Sequence, residues 1–244
     1  MEWDNITRLV SPYLVKIETP TGSGTGFLYV CNETKTICGV ATAHHVISDT
    51  DEWLQPMRIH TNDFKKTAFL KESERIVFSD YKTDSAVILF DPAKLHVPET
   101  FIQLRPVDAP LSIGAEVGWL GYPAIEPYTL CFFSGNISAR RQDRSAYLVD
   151  GVAINGVSGG PVLYSGSSGV QVVGIVTAYH ANRQRGDALP GLSVAQDVSH
   201  FHQVIQQLKS MDEAVKKRAE IDEAQKTDVE KSASSATSPI PPEE

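Results

Sequence analysis

The sequence predicts an all-β fold of the barrel or sandwich type, followed by a C-terminal α-helix. Between about residues 6 and 195, short runs of Val, Ile, Leu, Tyr and Phe are interrupted by Gly, Pro, Asn and Asp. This pattern is typical of many short strands joined by turns. Strand–helix alternation, which would predict a parallel sheet, is missing from this region. After Gln196 the apolar residues recur every three to four positions, which is the period of a helix.

The predicted strands are apolar runs bounded by turn-forming residues. They are Tyr13–Ile17, Gly26–Val30, Gly39–Thr42, Arg75–Phe78, Ala86–Phe90, Glu116–Gly121, Gly135–Ser138, Tyr147–Val149, Val162–Tyr164, Gln171–Thr177 and Gly191–Ala195. A connection around Phe101–Ala109 contains Pro106 and is followed by Pro110. It divides the β-rich region into two halves of similar length, which predicts two β sub-domains.

The predicted helix carries one apolar stripe, and Asp197 or Ser199 is placed to cap its start. The stripe consists of Val198, Phe201, Val204 or Ile205, Leu208, Met211 and Val215. Residues 216–231 are highly charged, and residues 232–244 are rich in Ser, Ala and Pro. Such a segment has little apolar surface to bury, so residues 210–244 are predicted to be disordered or to act as a linker.

Composition narrows the functional classes. The chain has 244 residues, 41% of them hydrophobic, and a formal net charge of −8. The hydrophobic content is sufficient for a sizeable core. A general nucleic-acid binder needs a basic face to displace counterions from phosphates, so nucleic acid is not an expected partner. No run approaches the ~20 apolar residues of a membrane span, so no membrane partner is expected.

The three cysteines, Cys31, Cys38 and Cys131, are too few and too oddly spaced for a disulfide framework. Cys31 and Cys38 could face each other across a hairpin, but buried free thiols are predicted. The N-terminal residues are acidic and lack the apolar segment of an export signal. A cytoplasmic location is therefore expected.

The segment Asn155–Val162, with Ser158 at its centre, is the strongest chemical signal in the chain. A serine hydroxyl is a weak nucleophile that needs a neighbouring base and donors aimed at the developing oxyanion. Glycines at 156, 159 and 160 permit a tight turn that side chains would forbid. The turn is predicted to direct the amides of Gly156 and Ser158 into one oxyanion hole.

The base for such a serine is expected to be a histidine. His44 and His45 compete, and His45 is preferred because it ends an apolar strand and is followed by Val46. His200 and His202 lie two positions apart on the predicted helix and therefore face different sides. No metal site and no cofactor are expected.

The third group is expected to be a carboxylate that orients the imidazole. Asp84 directly precedes the apolar strand Ala86–Phe90. A carboxylate at the start of a buried strand needs a partner, because burying an unpaired charge costs free energy. Asp80 and Asp91 are local competitors for the same role.

Three segments, in order along the chain, resemble the active-site boxes of the trypsin/chymotrypsin superfamily. They are Thr42-Ala43-His44-His45, Asp84-Ser85-Ala86-Val87 and Gly156-Val157-Ser158-Gly159-Gly160-Pro161. Further segments are similar to bacterial Deg-type proteases: Gly24–Phe27, Leu120–Pro123, Ser134–Ser138, Asp150–Asn155 and Gly174–Ala178. The resemblance covers roughly residues 6–208.

This resemblance implies two six-stranded antiparallel β-barrels with the active site in the cleft between them. It implies a serine endopeptidase in which Ser158 is the nucleophile, His45 the base and Asp84 the orienting acid. The protease domain is expected over residues 1–209, with the first barrel at about 6–105 and the second at about 106–196. The helix is expected to begin near residue 197. The expected partner is a protein or peptide substrate.

The chain departs from the family in two places. Animal trypsins have Asp immediately before the nucleophile, where this chain has Val157, and an Ile-Val-Gly-Gly start is not present. Activation by N-terminal cleavage is therefore not expected. Deg-type sequences carry Asn-Pro-Gly-Asn-Ser, whereas Asn155–Ser158 is one residue shorter, and this difference falls on the oxyanion hole.

The resemblance also places the walls of the primary specificity pocket. They are Val152, Ala153, Val176, Thr177, Ala178, Tyr179, Leu192 and Val194. No carboxylate stands at the base of this pocket, so cleavage after Lys or Arg is not expected, and a small or medium apolar P1 residue is predicted. The less favoured alternative is an acidic P1 residue recognised by His180.

Two other functions fit the same residues. A trypsin-fold module can bind without catalysis, because fold does not guarantee activity. Against this alternative, all three triad residue types are present. The charged, Pro-rich C-terminal segment also favours an effector domain of a larger, regulated protein, controlled by an activating partner or by a further C-terminal domain.

Overall fold

The structure, a computed structural model, describes residues 2–184 and 187–235, with side chains for all of these except residues 179–191, 224 and 226–235. The chain divides between Ile205 and Gln206 into two compact units. In the described residues, no helix is both long and apolar enough to cross a membrane. The first unit contains a short helix, α1 (Trp3–Val10), and two mainly antiparallel sheets.

Within the described residues, seven strands form the first sheet, in the order β5-β4-β1-β2-β3-β7-β6. The strands are β1 (Leu14–Thr19), β2 (Gly22–Cys31), β3 (Cys38–Ala43), β4 (Met57–Thr61), β5 (Thr67–Leu70), β6 (Arg75–Asp80) and β7 (Ser85–Phe90). A helix, α2 (His44–Glu52), follows β3 directly. Side chains including Val15, Ile17, Val40, Ile59 and Ile88 are buried together on one side of this sheet.

The second sheet also has seven strands among the described residues, and six of them close into a barrel. The order is β12-β9-β10-β11-β14-β13-β8, and an additional β12–β13 pairing joins the two ends of the six-strand ring. The strands are β8 (Gln103–Leu104), β9 (Glu116–Gly121), β10 (Cys131–Arg141), β11 (Ala146–Asp150), β12 (Pro161–Gly166), β13 (Gly169–Gln184) and β14 (Asp187–Asp197). The two-residue β8 lies parallel to β13 outside the ring.

The predicted all-β fold of two barrels with a C-terminal helix is confirmed, with a closed second barrel and a first sheet that forms a half-barrel. Sequence patterns did not predict β4, β5, β8, α1 or α2. β4 alternates buried Met57 and Ile59 with more exposed residues, which gives a weak apolar signal in five residues. α1 buries only Ile6 and Val10, and a helix of two turns offers little periodicity.

The C-terminal helix, α3 (Ser199–Ser235), begins close to the predicted position. Of the two predicted capping residues, Asp197 accepts a hydrogen bond from the Ser199 amide at 3.0 Å. Phe201 and Val204 of the predicted stripe are buried. The helix continues through much of the segment that was predicted to be disordered or a linker. Helix-favouring residues dominate there, and Arg218 pairs with Asp222 one turn away at 3.2 Å.

Cys31 and Cys38 form a disulfide, so the prediction of free thiols for this pair is wrong. The pairing of β2 with β3 places the two residues directly opposite each other, which is the hairpin alternative recognised from the sequence. Cys131 is a free, partly buried thiol.

Candidate active site

The first sheet brings the predicted histidine and carboxylate together at one edge. β3 and β7 are antiparallel neighbours, and Ala43, the last residue of β3, pairs with Ser85, the first residue of β7. The chain therefore leaves β3 where it enters β7. His45 and Asp84, although 39 positions apart in sequence, lie side by side at this edge.

Asp84 accepts two hydrogen bonds from His45. One carboxylate oxygen, Oδ1, accepts from the His45 amide at 2.9 Å, and Oδ2 accepts from the imidazole Nδ1 at 2.7 Å. An ionised carboxylate can only accept, so Nδ1 donates to an ionised Asp84, and in the neutral imidazole Nε2 then keeps its lone pair. The carboxylate also lies at the N-terminus of α2, where the helix dipole favours negative charge.

The backbone at Asp84 is itself unusual. Its φ is +48°, a left-handed conformation that is uncommon outside glycine and that concentrates at functional sites. The Asp84 carbonyl accepts from the His44 amide at 3.0 Å. Three hydrogen bonds thus connect Asp84 to the first turn of α2, and this connection holds the residue in its strained conformation.

The structure separates His45 from the residues that competed for these roles. His45 lies in the first turn of α2 rather than at the end of a strand, because the helix begins at His44. The His44 Nδ1 instead lies 3.1 Å from the Ser79 hydroxyl. Asp80 and Asp91 accept from backbone amides two residues further along the chain, which is a local turn role.

The nucleophile segment forms a turn immediately before β12. Gly156 and Gly159 have φ values of +92° and +84°, so both need the freedom of glycine. The amides of Val157, Gly159 and Gly160 donate to backbone carbonyls at 3.2, 2.7 and 2.9 Å. Among the described residues, the amides of Gly156 and Ser158 donate to no protein group, and these are the two predicted oxyanion donors.

The carbonyls of the same peptide groups fix where those two amides point. The Asn155 carbonyl accepts from the Ala124 amide at 2.7 Å, and the Val157 carbonyl accepts from the Gly160 amide at 2.9 Å. In a planar trans peptide the N–H points opposite to the carbonyl. The Gly156 N–H is therefore held pointing away from the Ala124 amide, and the Ser158 N–H away from the Gly160 amide.

We expect Gly159→Ala to destabilise the protein by about 3 kcal/mol or more, because clash and backbone strain add. A Cβ at Gly159 would lie 2.1 Å from the Thr25 carbonyl oxygen and 2.8 Å from the Ala43 nitrogen. Gly169→Ala is the matched control, since its φ is +92° and nothing lies within 4 Å of the added Cβ. Strain alone predicts a loss of about 1–2 kcal/mol there. Urea unfolding measures both values, and equal losses would contradict the packing argument.

A cavity of about 210 Å³ is bordered by both His45 and Ser158. It is lined by His45, Ala153, Ile154, Asn155, Ser158, Val176, Thr177 and Ala178. His45 and Ser158 therefore face one space, although among the described residues no hydrogen bond joins the Ser158 hydroxyl to the imidazole. Apo catalytic contacts are often long and tighten only with substrate.

Four of the eight predicted pocket residues line this cavity: Ala153, Val176, Thr177 and Ala178. Val152 is exposed and, in the described structure, lies outside the cavity lining, as do Leu192 and Val194 on β14. The side chain of Tyr179, like that of His180, lies outside the described residues. Sequence reasoning missed Ile154 and Asn155 as lining residues, although both directly precede the glycine of the motif.

Among the side chains that the structure describes, no group of three or more His, Cys, Asp or Glu is arranged to hold an ion.

The family model for the trypsin-like peptidase domain matches residues 24–175. This range contains His45, Asp84 and Ser158 together with the strands that carry them. None of the curated proteins matches the chain.

Solved structures share the fold at low sequence identity. A serine endoprotease from Yersinia pestis superposes with a TM-score of 0.63 and 19% identity, over 86% of this chain and 67% of that one. The inactive form of Rv3671c from M. tuberculosis H37Rv, carrying a serine-to-alanine substitution, gives a TM-score of 0.58 and 20% identity, over 84% and 90% of the two chains. A second inactive form of the Rv3671c protease gives 0.58 and 20%, over 83% and 92%.

Proposed function

The chain belongs to the trypsin-like peptidase domain family and is a serine-type endopeptidase, and from this premise we propose that it cleaves peptide bonds through an acyl-enzyme on Ser158. The observation that carries the proposal is that His45, which makes two hydrogen bonds to Asp84, lines the same cavity as Ser158. The substrate is a protein or peptide.

In the proposed mechanism, the Ser158 hydroxyl attacks the scissile carbonyl while His45 Nε2 accepts its proton. Asp84 holds the Nδ1 proton and stabilises the imidazolium that forms. The amides of Gly156 and Ser158 stabilise the negative oxygen of the tetrahedral intermediate. His45 then gives its proton to the leaving amine, and water attacks the acyl-enzyme by the reverse path to release the acid and free Ser158.

We also propose that the residue before the cleaved bond is small or medium-sized and apolar. The cavity beside Ser158 is small and is lined by Ala153, Val176 and Ala178, and no carboxylate is among the lining residues that the structure describes. A peptide library varied only at P1 tests this preference. We expect the highest kcat/KM for Ala, Val or Leu, and best cleavage after Arg or Lys would overturn it.

The nucleophile is tested by incubating the protein with a fluorophosphonate probe and measuring intact mass. One adduct per chain is expected, and peptide mapping should locate it on Ser158. Since the probe reacts only with an activated serine, a folded protein that stays unlabelled would favour the alternative of a non-catalytic binding module. Labelling of another serine would contradict the assignment of Ser158.

A further inference from the structure

Thr25 lies on β2 at the point where the first sheet meets the nucleophile turn of the second. Its side chain is fully buried. Its amide donates to the Ser158 carbonyl at 2.9 Å, and its own carbonyl accepts from the Thr42 hydroxyl at 2.7 Å. The backbone of Thr25 is therefore fixed on both sides.

The Thr25 hydroxyl bridges two further segments. It donates to the Gly156 carbonyl at 2.8 Å and accepts from the Tyr122 amide at 2.9 Å. A hydroxyl supplies both functions from one atom. Through this atom the turn that carries the oxyanion donors is connected to the end of β9.

The two segments pack closely against each other at this contact. A Cβ on Gly156 would lie 2.4 Å from the Tyr122 carbonyl oxygen, and a Cβ on Gly121 would lie 2.7 Å from a Val157 methyl group. The same Gly121 Cβ would lie 2.9 Å from the Thr25 hydroxyl. The hydroxyl thus fills a tight junction whose geometry determines where Gly156 and Val157 lie.

We propose that Thr25 is a positioning residue for peptide hydrolysis, whose hydroxyl holds the Gly156–Ser158 turn so that its two unpaired amides converge on the oxyanion. This inference rests on the proposed function of Ser158. Thr25 contacts both ends of the turn, the Gly156 carbonyl through its side chain and the Ser158 carbonyl through its amide. It acts through these groups and does not touch the reacting atoms.

Thr25→Val removes the hydroxyl while keeping a branched side chain. It leaves the Gly156 carbonyl and the Tyr122 amide without their partner, and buried backbone groups do not stay unpaired without cost. We expect the turn to shift to find other partners. A shift of the order of 1 Å at a reacting group costs about 100-fold in rate, so the limiting rate of phosphonylation by a fluorophosphonate should fall about 100-fold.

The kinetics of labelling separate positioning from general instability. The half-saturating probe concentration should change by less than about threefold, because the interaction lost acts mainly in the transition state. Thr25→Ser keeps the hydroxyl and should label within about threefold of the wild-type rate. Rates are expressed per folded molecule, with the folded fraction measured by circular dichroism.

Tyr147→Phe is the matched control for stability. Its hydroxyl also accepts from a buried backbone amide, that of Leu111 at 3.2 Å, but Tyr147 is not among the residues that line the cavity. We expect both hydroxyl deletions to lower the unfolding midpoint, and only Thr25→Val to lose labelling. If Thr25→Val does not fold, Thr25→Ala takes its place in the same comparison.

The outcomes distinguish this inference from the proposed function. Wild-type protein labelled on Ser158, with Thr25→Val labelled at the same limiting rate, would overturn the role of Thr25 alone. An equal loss in Thr25→Ser and Thr25→Val would also overturn it, since the hydroxyl would then not be the active feature. Wild-type protein that is folded but not labelled would overturn the proposed function and this inference together.

Discussion

Ser158→Ala and His45→Ala are each expected to lower kcat about 10⁶-fold, and the double substitution is expected to lower it no further. The hydroxyl and the imidazole act as one unit, because the serine is activated only when the base removes its proton. Once either is gone, the other has no task in the reaction. The measurement is kcat for the best peptide from the P1 library, under single-turnover conditions for the slow variants.

His44→Ala provides the control for this prediction. His44 precedes His45 and is the same residue type, but its Nδ1 lies 3.1 Å from the Ser79 hydroxyl and its ring packs against Tyr81. We expect this variant to keep kcat within a few-fold of wild type. A large loss of kcat in His44→Ala with little loss in His45→Ala would show that His44, and not His45, is the base. Losses that multiply in the double variant would show that the two groups act independently.

The candidate chemical groups could be predicted from the sequence because each lies in a short, contiguous string. Gly156–Pro161 combines a nucleophile with the glycines that its turn requires, and the structure gives Gly156 and Gly159 positive φ. The string around Asp84 immediately precedes a buried strand. Both features depend on residues next to each other in the chain, so no tertiary information is needed to recognise them.

Features that depend on how separate segments pair could not be decided from the sequence. The register of β2 and β3, which places Cys31 opposite Cys38, is decided by the sheet and not by residue spacing. The several bonds of Thr25 reach Thr42, Tyr122 and the nucleophile turn. The string Gly24–Phe27 gave only a family resemblance, with no indication that its threonine would contact the oxyanion loop.

The residues that line the cavity show the same difference between what the sequence predicts and what the fold decides. Ala153 and Val176 were predicted as lining residues and lie in the cavity, whereas Val152 next to Ala153 does not. Ala153, Ile154 and Asn155 all line the cavity, so the point at which this segment begins to border it is set by the placement of the loop in the fold. The sequence named the segments, and the fold determines which of their residues border the cavity.

Asp84→Asn is expected to lower kcat about 10⁴-fold with little change in fold. The present carboxylate accepts two hydrogen bonds, one from the His45 amide at 2.9 Å and one from Nδ1 at 2.7 Å. An asparagine has only one acceptor oxygen. If that oxygen faces the fixed backbone amide, the side-chain NH₂ faces Nδ1.

Nδ1 must then accept, and the proton moves to Nε2, where it blocks the removal of the serine proton. Asp80→Asn is the matched control, because Asp80 accepts from one backbone amide, that of Lys82 at 2.9 Å, and contacts no imidazole in the described residues. We expect Asp80→Asn to keep kcat near wild type and both variants to unfold close to the wild-type midpoint.

NMR of the imidazole nitrogens should show the proton on Nδ1 in the wild-type protein and on Nε2 in Asp84→Asn. A 10⁴-fold loss of kcat without this change of tautomer would mean that Asp84 acts through its charge on the imidazolium rather than by setting the position of the proton.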